Sequence, residues 1–158
     1  MYHIEKMTNE HAEAISSWKY PNEYAIYSFN NDLETLHELM TENYYACLDR
    51  GNKLIGYFCF GKAAQIPTVE DNVYDNNMLD IGLGLLPELC GQKVGRAFLI
   101  SAMEYARANW GTVAFRLSVA DFNIRAIKVY AKAGFVTISE VTHKRSGRKF
   151  RVMVHEAV

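Results

Sequence analysis

The sequence predicts a single α/β domain with a mixed, mainly antiparallel sheet, a central parallel crossover and helices on both faces. Three observations predict this class. The length of 158 residues suits one domain. The predicted elements follow the order β-α-α-β-β-β-α-β-α-β-β, and hairpins lie at both ends of the sheet. The strand–helix–strand unit in the middle implies a right-handed parallel crossover, so the predicted domain extends over residues 1–158.

The first half of the chain supplies a strand and two helices. Residues 1–7 predict a short strand, after which Thr8 caps a helix that ends near Trp18. Asp32 caps a second helix that ends at Met40. The apolar residues of this second helix are expected to face inward: Leu33, Leu36, Leu39 and Met40.

A hairpin and a further strand follow these helices. The hairpin strands are Tyr44–Leu48 and Lys53–Phe60, two apolar runs that a turn sequence separates. Residues 61–77 are rich in Asn and Asp and predict a mobile polar connector. The next strand is Met78–Leu86, and Pro87 ends it.

The second half alternates helices and strands. Gly91–Asn109 is the strongest predicted helix, because its apolar residues recur on one face. Strand Thr112–Val119 and helix Asn123–Ala133 come next, and Gly134 ends that helix. The last two predicted strands are Phe135–Val141 and Lys149–His155.

Composition excludes several classes of protein. Hydrophobic residues make up 49% of the chain and charged residues 22%, which excludes a largely disordered chain. No apolar run is long enough to predict a membrane span, and the first six residues do not resemble a signal peptide. The three cysteines are Cys47, Cys59 and Cys90; their odd number and wide spacing argue against a disulfide framework or a zinc site. We therefore expect no metal and a cytoplasmic location.

Charge divides the chain into two unlike halves. Residues 1–92 carry a net charge of −9, and residues 93–158 carry +8. This asymmetry is consistent with two ligands of opposite charge, or with two solvated faces. The basic stretch 143–151 is interpreted as a solvated hairpin and not as a nucleic-acid site, since the rest of the chain is acidic and holds no RNA-reading motif.

The segment between strand 78–86 and the long helix predicts an anion site. Gly91 and Gly95 allow a tight turn and a close approach of the backbone, and Lys93 and Arg96 add positive charge. Unpaired N–H groups at a helix start suit a phosphate. A plain strand-to-helix turn is the alternative. The spacing of these glycines excludes a P-loop, and the Pro87 that follows Gly82-Leu83-Gly84 excludes a dinucleotide fingerprint.

This segment resembles the GNAT superfamily of acetyl-CoA-dependent N-acetyltransferases, whose helix begins with Gln/Arg-x-x-Gly-x-Gly/Ala. Two frames fit: Gln92-x-x-Gly95-x-Ala97, and Cys90-x-x-Lys93-x-Gly95, in which Lys93 replaces a usual glycine. In either frame the resemblance implies that the cofactor pyrophosphate binds within residues 90–97. These residues are Cys90, Gly91, Gln92, Lys93, Val94, Gly95, Arg96 and Ala97.

A second segment carries the more specific resemblance. Residues 123–135 are similar to the GNAT pattern Asn-x-x-Ala-x-x-x-Tyr-x-x-x-Gly-Phe at every named position. The resemblance implies that Asn123 binds the pantetheine arm and that Tyr130 protonates the leaving thiolate. The alternatives are a helix cap for Asn123 and a packed core ring for Tyr130.

The resemblance also implies a GNAT-like fold in which strand 78–86 separates from the next strand. Pantetheine would enter between them, held by the backbone N–H groups of Leu83, Gly84 and Leu85. Asp80 is the candidate base, with a solvated aspartate as the alternative. The ribosomal-protein-alanine acetyltransferases carry a Glu at the position of Ser118, so that role is absent here.

An aromatic segment is expected to form the acceptor pocket. Its residues are Trp18, Tyr20, Tyr24 and Tyr27. Simple packing beneath two short helices is the alternative. The acidic first half fits a cationic amine acceptor.

The predicted function is transfer of an acetyl group from acetyl-CoA, a cosubstrate, to a small-molecule or peptide amine by direct attack. The alternatives are a non-catalytic acyl-CoA-binding sensor on the same fold and a protein N-terminal acetyltransferase. We expect neither a nucleic-acid nor a membrane partner, and the sequence carries no indication of an oligomeric state.

Overall fold

In the computed structural model, which describes residues 2–111 and 113–156, the described strands form a seven-stranded sheet of order β1-β2-β3-β4-β5-β7-β6. Neighbouring strands pair antiparallel except β4 and β5, which are parallel. The strands are β1 His3–Lys6, β2 Tyr44–Leu48, β3 Leu54–Phe60, β4 Met78–Leu85, β5 Ala114–Ala120, β6 Val136–Thr142 and β7 Lys149–His155. The helices are α1 Asn9–Ser16, α2 Leu33–Thr41, α3 Gly95–Trp110 and α4 Ile124–Lys132. The predicted class and order of elements are confirmed; Met1 and Thr112 of the predicted strands lie outside the described residues.

The sheet separates two helical layers. Along β3, Phe58 and Phe60 pack with α3 and α4, whereas Tyr57 and Cys59 pack with α1 and α2. This alternation follows from the two-residue period of a strand. Because the sheet lies between the two helical layers, any gap between neighbouring strands opens a passage from one layer to the other. No helix among the residues described is long and apolar enough to cross a bilayer.

The inward face predicted for α2 is partly wrong. Leu39 is buried, but Leu33 is 84% exposed and Met40 38% exposed. The buried face is set by Thr35 and Leu39, one helical turn apart. At 3.6 residues per turn, positions 33 and 40 lie more than about 110° from that face.

The predicted start of the long helix is also wrong. Helix α3 begins at Gly95 and not at Gly91. Gly91 and Lys93 adopt the left-handed conformation, with φ of 79° and 64°. Because an α-helix needs negative φ throughout, residues 90–94 form a loop that precedes the helix.

Strands β4 and β5 pair over only three residues. Met78, Leu79 and Asp80 pair with residues 114–116. Beyond this point β4 continues beside β3 and β5 beside β7. The two strands therefore part after Asp80 and leave an open V in the middle of the sheet.

A buried ion pair holds the base of this V. Arg116 Nε donates to Asp80 Oδ1 at 2.6 Å and Nη2 donates to Asp80 Oδ2 at 2.9 Å. Asp80 is 3% exposed and Arg116 2%. The Arg116 guanidinium also donates to the carbonyls of Tyr74 and Asp75, so the polar connector predicted to be mobile is tied to the sheet.

Candidate active site

A cleft of about 560 Å³ occupies the V between β4 and β5. Residues of β4, β5, α4, the loop before α3 and the aromatic segment line it. The predicted site residues that line the cleft are Tyr20, Tyr24, Tyr27, Leu83, Gly84, Leu85, Cys90, Gly91, Lys93, Gly95, Asn123 and Tyr130. Those outside the lining are Trp18, Asp80, Gln92, Val94, Arg96 and Ala97.

Helix α3 begins at one end of the cleft, where Gly95 belongs to the lining, and its first N–H groups are free. The first helical hydrogen bond of α3 runs from the Phe98 N–H to the Val94 carbonyl at 3.0 Å. The N–H groups of residues 95–97 precede that bond and have no partner within the helix. With the positive end of the helix dipole, they form a site that suits an anion.

The conformation of Lys93 favours one of the two motif frames. Lys93 has φ of 64°, which glycine adopts without strain and other residues adopt rarely. The frame Cys90-x-x-Lys93-x-Gly95 aligns Lys93 with a family glycine. In this frame Lys93 therefore stands where its own backbone conformation would suit a glycine.

Arg125 adds a positive charge at the same end, and the sequence reasoning missed it. Its guanidinium lies over the ring of Tyr24 at 4.9 Å. A Cβ atom added at Gly91 would lie 3.2 Å from Arg125 Nη1, so the guanidinium adjoins the loop. The available signal was a cation in the first turn of a helix, where the dipole disfavours positive charge.

Tyr130 lies in the cleft with an unused hydroxyl. Its ring packs against Phe135, with 6.2 Å between centroids. Within the described ranges its hydroxyl makes no hydrogen bond, yet it is not sealed from the cleft. Burial raises the pKa of Tyr130 well above that of an exposed phenol, with a smaller contribution from Tyr27. The side chain is therefore a neutral proton donor facing the cleft.

The aromatic segment spans the mouth of the V. At one side the Tyr20 hydroxyl donates to the Leu85 carbonyl at 2.6 Å. At the other side the Tyr27 hydroxyl accepts from the Ala120 N–H and from Asn123 Nδ2, both at 3.3 Å. Residues 20–27 thus connect the diverging ends of β4 and β5.

Asn123 serves as a helix cap, the alternative that its position also allowed. Its Oδ1 accepts the Ala126 N–H at 3.2 Å, while its Nδ2 donates to Tyr27. The side chain lines the cleft with both polar ends engaged. A ligand that bonds to Asn123 must therefore displace or share the contact with Tyr27.

The predicted base Asp80 and the predicted acceptor-pocket residue Trp18 both lie away from the cleft. Asp80 accepts three hydrogen bonds, two from Arg116 and one from Gln65 Nε2 at 2.9 Å. A buried carboxylate held in this way has no free access to an amine. Trp18 packs behind the cleft against Tyr57, with ring centroids 6.3 Å apart.

Tyr57 lines the cleft, and the sequence reasoning missed it as well. It lies opposite Gly84 in the register of β3 and β4. A methyl group on Gly84 would overlap the end of the Tyr57 ring, so glycine is needed there. A glycine facing a large aromatic residue across two strands was the available signal.

Comparisons with known proteins identify the family of the chain and solved structures with a similar fold. The family model described as "Acetyltransferase (GNAT) family" matches residues 5–135. A GNAT-family acetyltransferase from Bacillus anthracis superposes with a TM-score of 0.75 at 13% identity, over 98% of this chain and 94% of that chain. A spermidine N-acetyltransferase SpeG chimera from Vibrio cholerae and hSSAT gives 0.72 at 16% identity, over 98% and 95%.

A third solved structure has the same fold. Mutant forms of the spermidine/spermine N-acetyltransferase SpeG from Vibrio cholerae superpose with a TM-score of 0.72 at 15% identity, over 99% of this chain and 95% of that chain. At these identities the likeness concerns the fold alone. No curated protein matches the chain in sequence.

Proposed function

Because the chain belongs to the acetyltransferase (GNAT) family, we propose that it transfers the acetyl group of acetyl-CoA to a primary amine. One observation carries the proposal. One cleft has free N–H groups and two cations at one end, and it is also lined by the phenol of Tyr130, which bonds to no described residue. Lys93 and Arg125 are those cations. An anionic cofactor arm and a proton donor for its leaving group fit this arrangement.

The loop and the first turn of α3 would hold the pyrophosphate, and β4 would hold the pantetheine arm. The Leu85 carbonyl bonds to Tyr20 across the cleft, so the polar groups of Leu85 face the cleft. Along a strand, the backbone N–H and C=O groups of successive residues point to opposite sides. Those of Leu83 therefore face the cleft like those of Leu85, whereas those of Gly84 point to β3. The N–H groups of Leu83 and Leu85 are therefore the proposed partners, and Gly84 contributes space.

The proposed reaction is a direct attack. The nitrogen lone pair of the neutral amine forms a bond to the thioester carbon, and the carbon–sulfur bond breaks. Tyr130 donates its proton to the departing thiolate. The nitrogen releases a proton to water, and Tyr130 recovers one from the same solvent.

The cleft supplies no strong base for the amine. In the part of the chain that the structure describes, no Asp, Glu or His lines it. We therefore propose that the acceptor amine loses its proton to solvent and that Asp80 is not the base. Asp80 then acts only by holding β4 and β5 together at the base of the V.

This proposal predicts how the rate depends on pH. A free alkyl amine has a pKa near that of Lys, about 10.4. If only the neutral amine reacts, kcat/KM should rise about tenfold per pH unit between pH 6.5 and 9.5. Tyr130 stays protonated over this range, since burial raises its pKa. A plateau that begins near neutral pH would instead indicate a base on the protein.

Binding of the cofactor is expected to stabilise the fold. Free acetyl-CoA at 100 times its Kd should raise the free energy of unfolding by about 2.7 kcal/mol. The measurement is a thermal shift at millimolar acetyl-CoA. Absence of any shift would contradict the proposal.

Gly95→Val tests whether the loop carries this binding. A Cβ atom at Gly95 would meet only the methyl groups of Val129, at 3.6 and 3.7 Å, so the unliganded fold has room for it. The larger side chain would keep the phosphates from the N–H groups, and the shift should disappear. Gly95→Ala is the milder matched variant, and the melting temperature without ligand controls for folding.

Release of free thiol from acetyl-CoA across a panel of amines distinguishes the candidate functions. A small-amine acetyltransferase releases thiol with a small amine, and a protein N-terminal acetyltransferase only with a peptide. A sensor would give the thermal shift without turnover. The comparisons supply a starting probe, because two of the similar structures are described as spermidine N-acetyltransferases.

The state of the cysteines supports a cytoplasmic location as part of the proposal. Cys47, Cys59 and Cys90 are all free thiols. Burial raises the pKa of both Cys47 and Cys59 to about 12, so neither thiol ionises readily. Unpaired thiols are typical of a reducing compartment.

A further inference from the structure

We propose that the Tyr57 hydroxyl binds the nitrogen of the acceptor amine and orients it toward the thioester; the inference rests on the proposed function. Tyr57 is 8% exposed, yet it lines the cleft. Among the residues the structure describes, its hydroxyl has no hydrogen-bond partner. The hydroxyl is not sealed in the core but opens to the cleft, so this polar group is available to a ligand.

The ring of Tyr57 is fixed by its neighbours. Trp18, Phe29 and Tyr44 surround it, with ring centroids 6.3, 5.7 and 5.9 Å away. On the remaining side the ring end lies over Gly84, where a Cβ atom would overlap it. Four neighbours therefore hold the hydroxyl at the edge of β4 where the V opens.

The side of the sheet from which Tyr57 projects indicates that it contacts the acceptor and not the cofactor. Tyr57 belongs to the layer of α1 and α2. The cofactor end of the cleft, with Gly95 and Arg125, lies beside α3 and α4 in the other layer. A ligand that meets Tyr57 thus approaches the thioester from the face opposite the pyrophosphate loop.

The protonation state of Tyr57 fits a positioning contact. Burial raises the pKa of Tyr57 well above its ordinary value, and the Tyr20 phenol adds to the effect. The neutral phenol oxygen is able to accept a hydrogen bond from an amine N–H. That contact leaves the nitrogen lone pair free to form the bond to the thioester carbon.

The test compares Tyr57→Phe with Tyr44→Phe. Tyr44 stands in the same aromatic group, but its hydroxyl donates to Glu38 at 2.7 Å and it does not line the cleft. Each variant is assayed by thiol release with spermidine and with 2-phenylethylamine as acceptors. Tyr57→Phe should raise the KM of the amine about 2- to 13-fold, the range expected for one neutral hydrogen bond. The KM of acetyl-CoA should stay within about twofold in both variants.

The melting temperature of Tyr57→Phe gives a second test, because a binding residue and a structural residue predict changes of opposite sign. Tyr57→Phe removes a hydroxyl that faces the cleft and bonds to no described residue, so the fold loses no internal hydrogen bond. We therefore expect a melting temperature equal to or above that of the wild type, together with weaker use of the amine. A purely structural residue would lose stability and leave the KM of the amine unchanged.

Three results separate this inference from the proposed function. An amine KM in Tyr57→Phe equal to that of the wild type would overturn the role of Tyr57 and leave the acetyltransferase proposal intact. A rise in the KM of acetyl-CoA in place of the amine would assign Tyr57 to the cofactor and also overturn it. Failure of the wild type to release thiol with either probe or any other amine would overturn both.

Discussion

Tyr130→Phe is expected to lower kcat about 10²- to 10⁴-fold, the range for loss of a general acid. The change deletes only the hydroxyl, so the ring still packs against Phe135. That hydroxyl bonds to no other described residue, and the fold therefore loses no internal hydrogen bond. Thiol release under saturating acetyl-CoA and amine measures the effect.

The thermal shift with acetyl-CoA should be retained in Tyr130→Phe, because the loop before α3 is unchanged. Tyr105→Phe is the matched control. Tyr105 is a tyrosine of α3 that packs on Tyr45, with ring centroids 5.2 Å apart, and lies outside the cleft lining. Turnover near the wild-type rate in Tyr130→Phe would leave Tyr130 with a packing role only.

Asp80→Ala is expected to lower the free energy of unfolding by about 3–5 kcal/mol, the usual cost of removing one partner of a buried ion pair. Arg116 would keep its buried charge and lose two hydrogen bonds. Its remaining partners, the carbonyls of Tyr74 and Asp75, carry no compensating charge. Urea denaturation of the two proteins measures the difference.

A double variant separates the charge effect from lost packing. Asp80→Ala combined with Arg116→Met removes both charges, so the pair should be less destabilised than the sum of the single changes. Asp80→Asn keeps the shape and allows the catalytic test. A stable Asp80→Asn protein whose rate falls selectively at low pH would restore Asp80 as a base.

The order of elements was predictable because each strand and helix carries its own local pattern. Residues 78–85 are apolar except for Asp80 and are followed by Pro87, and α4 has a capping Asn123 and a stop at Gly134. The motif of residues 123–135 and its Tyr130 were found by resemblance alone. Such features need no knowledge of distant contacts.

The features of the site that the sequence did not predict depend on contacts between distant parts of the chain. Asp80 was proposed as the base because the sequence does not reveal its ion pair with Arg116, which lies 36 residues further on. Tyr57 was missed because its place in the cleft depends on the register with Gly84. The late start of α3 depends on the left-handed conformation of Lys93, which a lysine in the sequence does not predict.

The pairing between β4 and β5 is shorter than the pairings on either side of it in the sheet. Three residue pairs join these strands, whereas β3 and β4 share five and β5 and β7 share six. Sub-global opening tends to separate a structure where the fewest interactions cross. A ligand in the V touches β4 on one unit and α4 on the other. In the proposed function, acetyl-CoA would thereby act as a noncovalent cross-link that adds contacts across the shortest pairing in the middle of the sheet.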